Sequence, residues 1–478
     1  MIGPSGRPSP YQVAFLLVES ALMLVGTFAA VYIRLYWDGS LEELFTGRYA
    51  LYRLLVVPVV LQITFYYSDL HNFRVARPFP WTLARVAQAM LVGFLALSII
   101  YYLVPVLFLG RGVMVLSLLT ITPMVVMWRA IYGWALSKRL LSTRVLMIGS
   151  GDLADAIFEE LVGRSDNYYQ VVCLVDITDP DQDKQDGRAV NLMEIWGYLL
   201  RAEVRRDADE LSGLVRFFDV DLIVVAANNQ ESRLPIDAML ECRMLGIPFV
   251  SGEDFFESFA NRLLANNIRP LWLIYSPGFR TSGLRSFTKR AMDLGLSVVG
   301  LVLSLPLALA VAAAIKLDSR GPVLYTQERV GQGGSRFNIV KFRSMVTDAE
   351  AETGPVWAQE NDPRVTRVGR FIRRTRLDEI PQMWTVLKGD MSFVGPRPER
   401  PHFVEELSRH LPYYNERHNV KPGITGWAQV CYPYGSSLAA SLEKLNYDLY
   451  YIKHSSLSLD LMIIIRTLKI LIFGGGGR

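Results

Sequence analysis

Four long apolar runs crowd the first third of this chain, at about residues 11–36, 51–68, 86–109 and 113–137. Each approaches the roughly 20 residues an α-helix needs to cross the hydrocarbon of a bilayer. Runs this apolar are rare in the buried helices of soluble proteins, so the pattern predicts a membrane protein with a four-helix transmembrane bundle over residues 1–142. The first run is too long for a cleaved leader, carries Glu19 and Arg34, and lacks a small-residue cleavage site. Composition agrees: 51% of the 478 residues are hydrophobic and only 20% charged, with a mean hydropathy of +0.23. A disordered chain has neither property.

Loop charge predicts the orientation. The first connection holds Asp38, Glu42 and Glu43 with Arg48, whereas the second holds Arg74, Arg77 and Arg85, and the fourth run exits into Lys138, Arg139 and Arg144. Positive loops stay inside, so the second connection and everything after Arg139 is expected in the cytoplasm. The net charge of +4, from 50 basic and 46 acidic residues, is too small and mixed to imply a nucleic-acid partner. Cys173, Cys242 and Cys431 form no C-x-x-C, which argues against a disulfide framework or a zinc site. The five histidines show no H-x-x-x-H spacing, so a metal here is expected on carboxylates.

At Thr143 the pattern changes to strand, glycine turn and helix: residues 145–148, then Gly149-Ser150-Gly151-Asp152-Leu153-Ala154. G-x-G-x-x-A in that setting lets backbone approach a pyrophosphate at a helix N-terminus. Further apolar runs at 171–175, 221–227 and 247–250 read as parallel strands, giving a Rossmann-like α/β domain over 143–275. A nucleotide would rest on Gly149 and Gly151 with Asp176 as ribose partner; the competing reading is a scaffold without a ligand. A Tyr-x-x-x-Lys pair is missing, so an epimerase lacks its usual base. The D-x-D pairs Asp179/Asp181 and Asp207/Asp209 sit in charged stretches and read as solvated carboxylates. Residues 276–288, rich in Ser, Gly and Arg, read as a linker.

Residues 291–315 form one more apolar run, interrupted by Pro306 and flanked by Lys289 and Arg290 before it and Lys316 and Arg320 after it. Both flanks prefer the same side of the membrane. Proline removes one helical hydrogen bond, and the hydroxyl of Ser304 can satisfy a freed carbonyl. The expectation is a re-entrant helix-break-helix that dips into one leaflet and returns.

The last third, an α-rich domain over 289–473, carries the chemistry. Arg367, Arg370, Arg373 and Arg374 make a cationic helical face just before Asp378-Glu379. Such a face suits phosphate, and it also suits anionic lipid headgroups. Adjacent carboxylates on a helix diverge by about 100°, which favours separate roles, one as nucleophile and the other as ligand for a hard cation such as Mg²⁺. Arg397 lies in a turn-rich segment, 388–399, and Arg417 precedes a second constrained loop at 421–430; guanidinium pairs bidentately with phosphate.

From about Lys289 to Leu471 the chain resembles the bacterial sugar transferases that are polyprenyl-phosphate hexose-1-phosphate transferases, the monotopic phosphoglycosyl transferases. The residues that carry the resemblance are K-R-x-x-D at 289–293, the proline-interrupted apolar run, K-L-D-S-x-G-P at 316–322, K-F-R-S-M at 341–345, L-D-E at 377–379, L-K-G-D-M-S-F-V-G-P-R-P-E at 387–399 and K-P-G-I-T-G-W-A-Q-V at 421–430. The N-terminal spans and α/β module resemble the large form of the family, found in exopolysaccharide and O-antigen initiation at the bacterial inner membrane. The resemblance implies that Asp378 attacks the β-phosphorus of a UDP-sugar, expels UMP and carries a covalent phosphosugar, and that Glu379 binds Mg²⁺. Lys341, Arg397 and Arg376 would neutralise the diphosphate and the incoming polyprenyl phosphate, with Arg343, Arg374 and Arg417 as further phosphate contacts. The family usually has Ser-Pro at the break, where this chain has Leu305-Pro306 with Ser304 one residue earlier. A homodimer is compatible with so large a non-catalytic module. The competing function is an inactive membrane-anchored nucleotide sensor or scaffold, against which intact Asp378, Glu379, Lys341 and Arg397 weigh.

Overall fold

The structure, a computed structural model, describes residues 10–38, 49–68, 70–71, 79–137, 142–149, 151–162, 169–176, 200–203, 208–227, 234–276, 278–279, 283–347, 349, 362–432, 435 and 437–473. It divides into two compact units, Met1–Ala260 and Asn261–Arg478.

The first unit begins with four apolar helices, α1 (Pro10–Asp38), α2 (Ala50–Tyr67), α3 (Phe79–Leu103) and α4 (Arg111–Ser137). By length and composition α1, α3 and α4 can each cross a membrane; α2 is shorter. They share a core that includes Val57, Leu61, Phe65, Leu97 and Ile121. Their outward faces stay apolar, with Leu17, Leu91 and Leu119 all exposed, as helices facing lipid require. One charged cluster interrupts the bundle. Glu19, fully buried, meets Arg129 at 2.6 Å and His71 at 2.9 Å. Arg129 also donates to the Leu70 carbonyl and lies over the rings of Phe15 and Phe65. A charge in such surroundings persists only when paired.

The α/β part of this unit is a parallel sheet of five described strands in the order β3-β2-β1-β4-β5. The strands are β1 (Thr143–Ile148), β2 (Tyr169–Asp176), β3 (Leu200–Glu203), β4 (Leu222–Val225) and β5 (Phe249–Ser251). Helices α5 (Asp152–Val162), α6 (Ala208–Phe218), α7 (Ile236–Met244) and α8 (Gly252–Ala260) accompany them. Leu146, Ile148, Cys173, Val175 and Ile223 are buried in its core, which explains why these strands read as continuous apolar runs.

The second unit starts at Asn261, so residues 261–275, assigned above to the α/β domain, belong here instead. Leu263, Ala265 and Ile268 enter this unit's core, the Ala265 amide is held by Asn446 Oδ1, and the Trp427 indole donates to the Asn261 carbonyl. A short helix α9 (Pro270–Tyr275) precedes α10 (Gly283–Asp318). The apolar run is thus part of one 36-residue helix with Pro306 inside it, and the expected break into two helices is not found. Proline costs a single backbone bond, and the neighbouring Leu and Ala are strong helix formers. Ser304 bonds its own turn, at the Leu301 carbonyl.

A β-hairpin follows, β6 (Leu324–Val330) with β7 (Arg336–Phe342) antiparallel. Next come α11 (Arg367–Arg374), a 3₁₀ turn Leu377–Glu379, α12 (Gln382–Lys388), β8 (Ser392–Val394) and α13 (Pro401–His410). β9 (Gly423–Thr425) pairs with β8 in parallel, and α14 (Trp427–Cys431), α15 (Leu438–His454) and α16 (Leu457–Phe473) close the unit. Trp427, Tyr450 and Tyr451 fill its centre.

Candidate active site

Each short motif of the second unit performs a specific backbone task. In K-R-x-x-D, Lys289 Nζ bonds Asp460 at 2.9 Å and the Val394 carbonyl at 3.0 Å. Arg290 donates to the carbonyls of Val386 and Leu387, which end α12. Asp293 accepts from Ser392 Oγ and the Phe393 amide; burial raises its carboxyl above the ordinary range, with Lys289 pulling the other way. One and a half turns of α10 therefore tie down both the helix after Asp378-Glu379 and the strand before Arg397. At the far end of α10, Asp318 accepts from the Val368 amide at the start of α11. Thr366 caps the same helix through the Gly369 amide. A Cβ at Gly369 would lie 1.9 Å from the Ser344 carbonyl oxygen, so only glycine fits there.

Arg397 is aimed by two interlocked loops. The Gly395 amide donates to the Thr425 carbonyl and the Gly423 amide to the Pro396 carbonyl. A side chain on Gly395, Gly423 or Gly426 would strike backbone, which is why G-P-R-P and K-P-G-I-T-G occur as a pair. Behind them Arg417, buried, donates to the Arg397 carbonyl at 3.0 Å, to Asp448 at 2.8 Å and to the Tyr414 hydroxyl. Burial lifts the Asp448 carboxyl to about 6 even beside that guanidinium.

These supports converge on Glu379. Arg397 Nη2 lies 2.9 Å from Glu379 Oε1 and Lys341 Nζ lies 3.4 Å from the same oxygen. Burial alone would raise the Glu379 carboxyl, but Arg397 and Lys341 hold it well below its ordinary range. Asp378 makes no hydrogen bond or ion pair with a described residue. Burial, reinforced by Glu379, lifts its carboxyl, while Lys341, Arg397 and Arg373 pull it back only in part. Burial likewise lowers Lys341, with Arg397 and Arg329 adding to the effect against the opposing carboxylates. The carboxylates sit on a 3₁₀ turn rather than an α-helix, entered through Arg376 in the left-handed region at φ 56°. In that geometry adjacent side chains diverge by about 120°, so one can be paired and the other left open. Leu377 and Ile380 anchor the turn beside Phe342 and Ile372.

The sequence-predicted residues separate into three groups. Asp378, Glu379, Lys341 and Arg397 come together, with Arg376 acting on Glu379 through charge. Arg343 and Arg417, expected at the phosphates, are both buried and committed elsewhere, Arg343 to Ser319 and to the Arg320 carbonyl at the end of α10. Arg374 is exposed on the outer face of α11. Arg329 and Arg373 were missed as site residues. Arg329 shares a hairpin face with Lys341 by strand alternation, and Arg373 acts on Asp378. The first signal was legible in the period of two along 325–329; the second lay in the run of arginines without a means to choose among them.

Among the described residues no group of three or more His, Cys, Asp or Glu could hold a metal ion. Two adjacent carboxylates nevertheless suit Mg²⁺, which takes one or two carboxylates and fills its shell with water and substrate phosphate.

Elsewhere, Gly149 and Gly151 both have φ near +110°. A Cβ on Gly149 would meet the Ala226 backbone at 2.7 Å, so this glycine serves the close approach of β1 to the end of β4. The first turn of α5 carries Asp152 and Asp155, the wrong charge beside a phosphate. Asp176 ends β2, and its side chain, like that of Asp209, lies outside the described residues, as do Asp179, Asp181 and Asp207.

Residues 284–474 match the family model of the bacterial sugar transferases. A UDP-glucose:undecaprenyl-phosphate glucose-1-phosphate transferase of Caulobacter vibrioides is 42% identical over 188 residues, 38% of this chain and 69% of that protein. This chain belongs to the bacterial sugar transferase family. A second sugar transferase relative, the UDP-N-acetylgalactosamine-undecaprenyl-phosphate N-acetylgalactosaminephosphotransferase of Aeromonas hydrophila, is 42% identical over 240 residues, 50% of this chain and 56% of the relative. The chain thus matches just over half the length of that protein. A UDP-galactose-lipid carrier transferase of Erwinia amylovora is 28% identical over 435 residues, 86% of each chain.

Proposed function

We propose that this sugar transferase moves a hexose-1-phosphate from a UDP-sugar to a polyprenyl phosphate through a covalent intermediate on Asp378. The observation that carries the reading is the division of labour at the carboxylate pair: Glu379 is clasped by Arg397 and Lys341, and Asp378 is left unengaged beside them. An Asp378 oxygen attacks the β-phosphorus, the bond to the bridging oxygen breaks, and UMP leaves with that electron pair. A polyprenyl-phosphate oxygen then attacks the same phosphorus, and the Asp378 carboxylate is released. Lys341, Arg397 and Arg373 stabilise the charge that builds on the phosphoryl oxygens, already fixed in place before reaction. Glu379, with Asp378 beside it, would hold Mg²⁺, which supplies further neutralisation of the diphosphate. The names of the relatives, which pair UDP-sugars with undecaprenyl phosphate or a lipid carrier, support the substrate classes.

A lipid-borne acceptor needs a site at the membrane, and α10 supplies one. Its middle, from Val298 to Leu309, exposes Val302, Leu303 and Leu305. Its two ends are tied to the same unit, by Lys289, Arg290 and Asp293 at one end and by Asp318 at the other. A full span would separate those ends by a bilayer. We read the segment as re-entrant, one continuous helix that bends near Pro306 without breaking, so that both of its ends lie at the cytoplasmic face of the inner membrane, with the loop charges giving that orientation. The parallel sheet is read as a Rossmann-like scaffold, since its turn glycine is explained by packing. UMP release from UDP-hexoses, with and without polyprenyl phosphate, tests the proposal: release must depend on Asp378, and Asp378→Asn that releases UMP at the native rate would refute the nucleophile.

A further inference from the structure

The arginine run before the active site splits into two sets with different targets. Arg373 acts on Asp378 and Arg376 on Glu379. Arg367, Arg370 and Arg374 stand at helical spacing with Phe371 on the same face of α11, all four exposed, Phe371 at 61%. None of the three arginines makes an ion pair with a described residue. We propose that this face of α11 binds the headgroups of anionic phospholipids, with Phe371 inserted among them, and so seats the active site against the bilayer.

The depth of the helix supports that partner. The inner face of α11, Val368 and Ile372, packs on Val311 and Ile315 of α10. Those two residues follow directly on the exposed apolar middle of α10, at the level where hydrocarbon gives way to headgroups. Leu317, 90% exposed, continues the apolar surface of α10 past Ile315. Three unpaired guanidinium groups around a ring match a surface of phosphates with acyl chains beneath. They do not match a single soluble anion, which two of them would satisfy.

The inference rests on the membrane reading of α10, and its test separates the two. The full chain, carrying Cys431→Ser and a fluorophore on Phe371→Cys, is placed in nanodiscs of zwitterionic lipid, with and without phosphatidylglycerol and with a nitroxide on a fraction of headgroups. Quenching is expected to rise with phosphatidylglycerol and to fall with salt. Adding Arg367→Gln and Arg370→Gln should abolish the rise, at roughly fivefold in surface affinity per arginine. A second label, on Val302→Cys, reports acyl-chain quenchers. Quenching at 302 with no lipid response at 371, or a response that survives Arg367→Gln/Arg370→Gln, overturns the lipid face alone. No quenching at 302 overturns the membrane reading of α10. Inorganic phosphate that suppresses the response beyond chloride of equal ionic strength would reassign the face to soluble anions and overturn the proposal.

Discussion

Two glutamates in this molecule are each held by an arginine and a second basic side chain. Glu379 has Arg397 at 2.9 Å and Lys341 at 3.4 Å; Glu19 has Arg129 at 2.6 Å and His71 at 2.9 Å. What differs is the surroundings. Around Glu19 the guanidinium is sandwiched by Phe15 and Phe65, the carboxylate is sealed from solvent, and its chain neighbours are Val18 and Ser20 rather than a second acid. Glu379 keeps a tenth of its side chain accessible and has the unengaged Asp378 next to it. An ion pair alone therefore says little about chemistry. A paired carboxylate beside an open one, reachable by substrate, says a great deal.

The sharpest way to break this contrast is Asp378→Asn, expected to lower UMP release more than about a thousandfold with the fold intact. Retained release would place the nucleophile elsewhere. Glu19→Gln should act on the other side of the comparison: about 3 kcal/mol lost from folding, from leaving Arg129 buried without its counter-charge. Thermal unfolding in detergent measures it, with UMP release per folded molecule unchanged; a rate effect at full stability would give the bundle cluster a role in catalysis. Glu379→Gln should lower kcat about a hundredfold, and its residual rate should be insensitive to Mg²⁺. The smallest effect is expected for Arg417→Lys, about tenfold in kcat with little change in donor KM, because the fork that fixes the Arg397 carbonyl is lost and no substrate contact is.

The site was legible in the sequence to the extent that short motifs encode local backbone needs. The glycines of 395–426 were visible because close backbone approach demands particular residues at particular spacings, and the Asp378-Glu379 pair was visible as a pair, though it was expected on an α-helix and sits on a 3₁₀ turn. Arg343 and Arg417 were misplaced because sequence displays a charge but not the carbonyl or carboxylate that consumes it. Burial against Asn446 and Trp427, both more than a hundred residues away along the chain, moved 261–275 into the second unit, a contact no local pattern announces. Pro306 was overweighted: a proline signals the loss of one bond, and a helix with enough packing at both ends carries it.

The central claim is tested most directly by the mass of the protein after exposure to UDP-hexose alone. The account predicts one added hexose-phosphate on the peptide bearing Asp378, discharged when polyprenyl phosphate is supplied. A preparation that turns over yet never carries that mass, or carries it equally in Asp378→Asn, would contradict it.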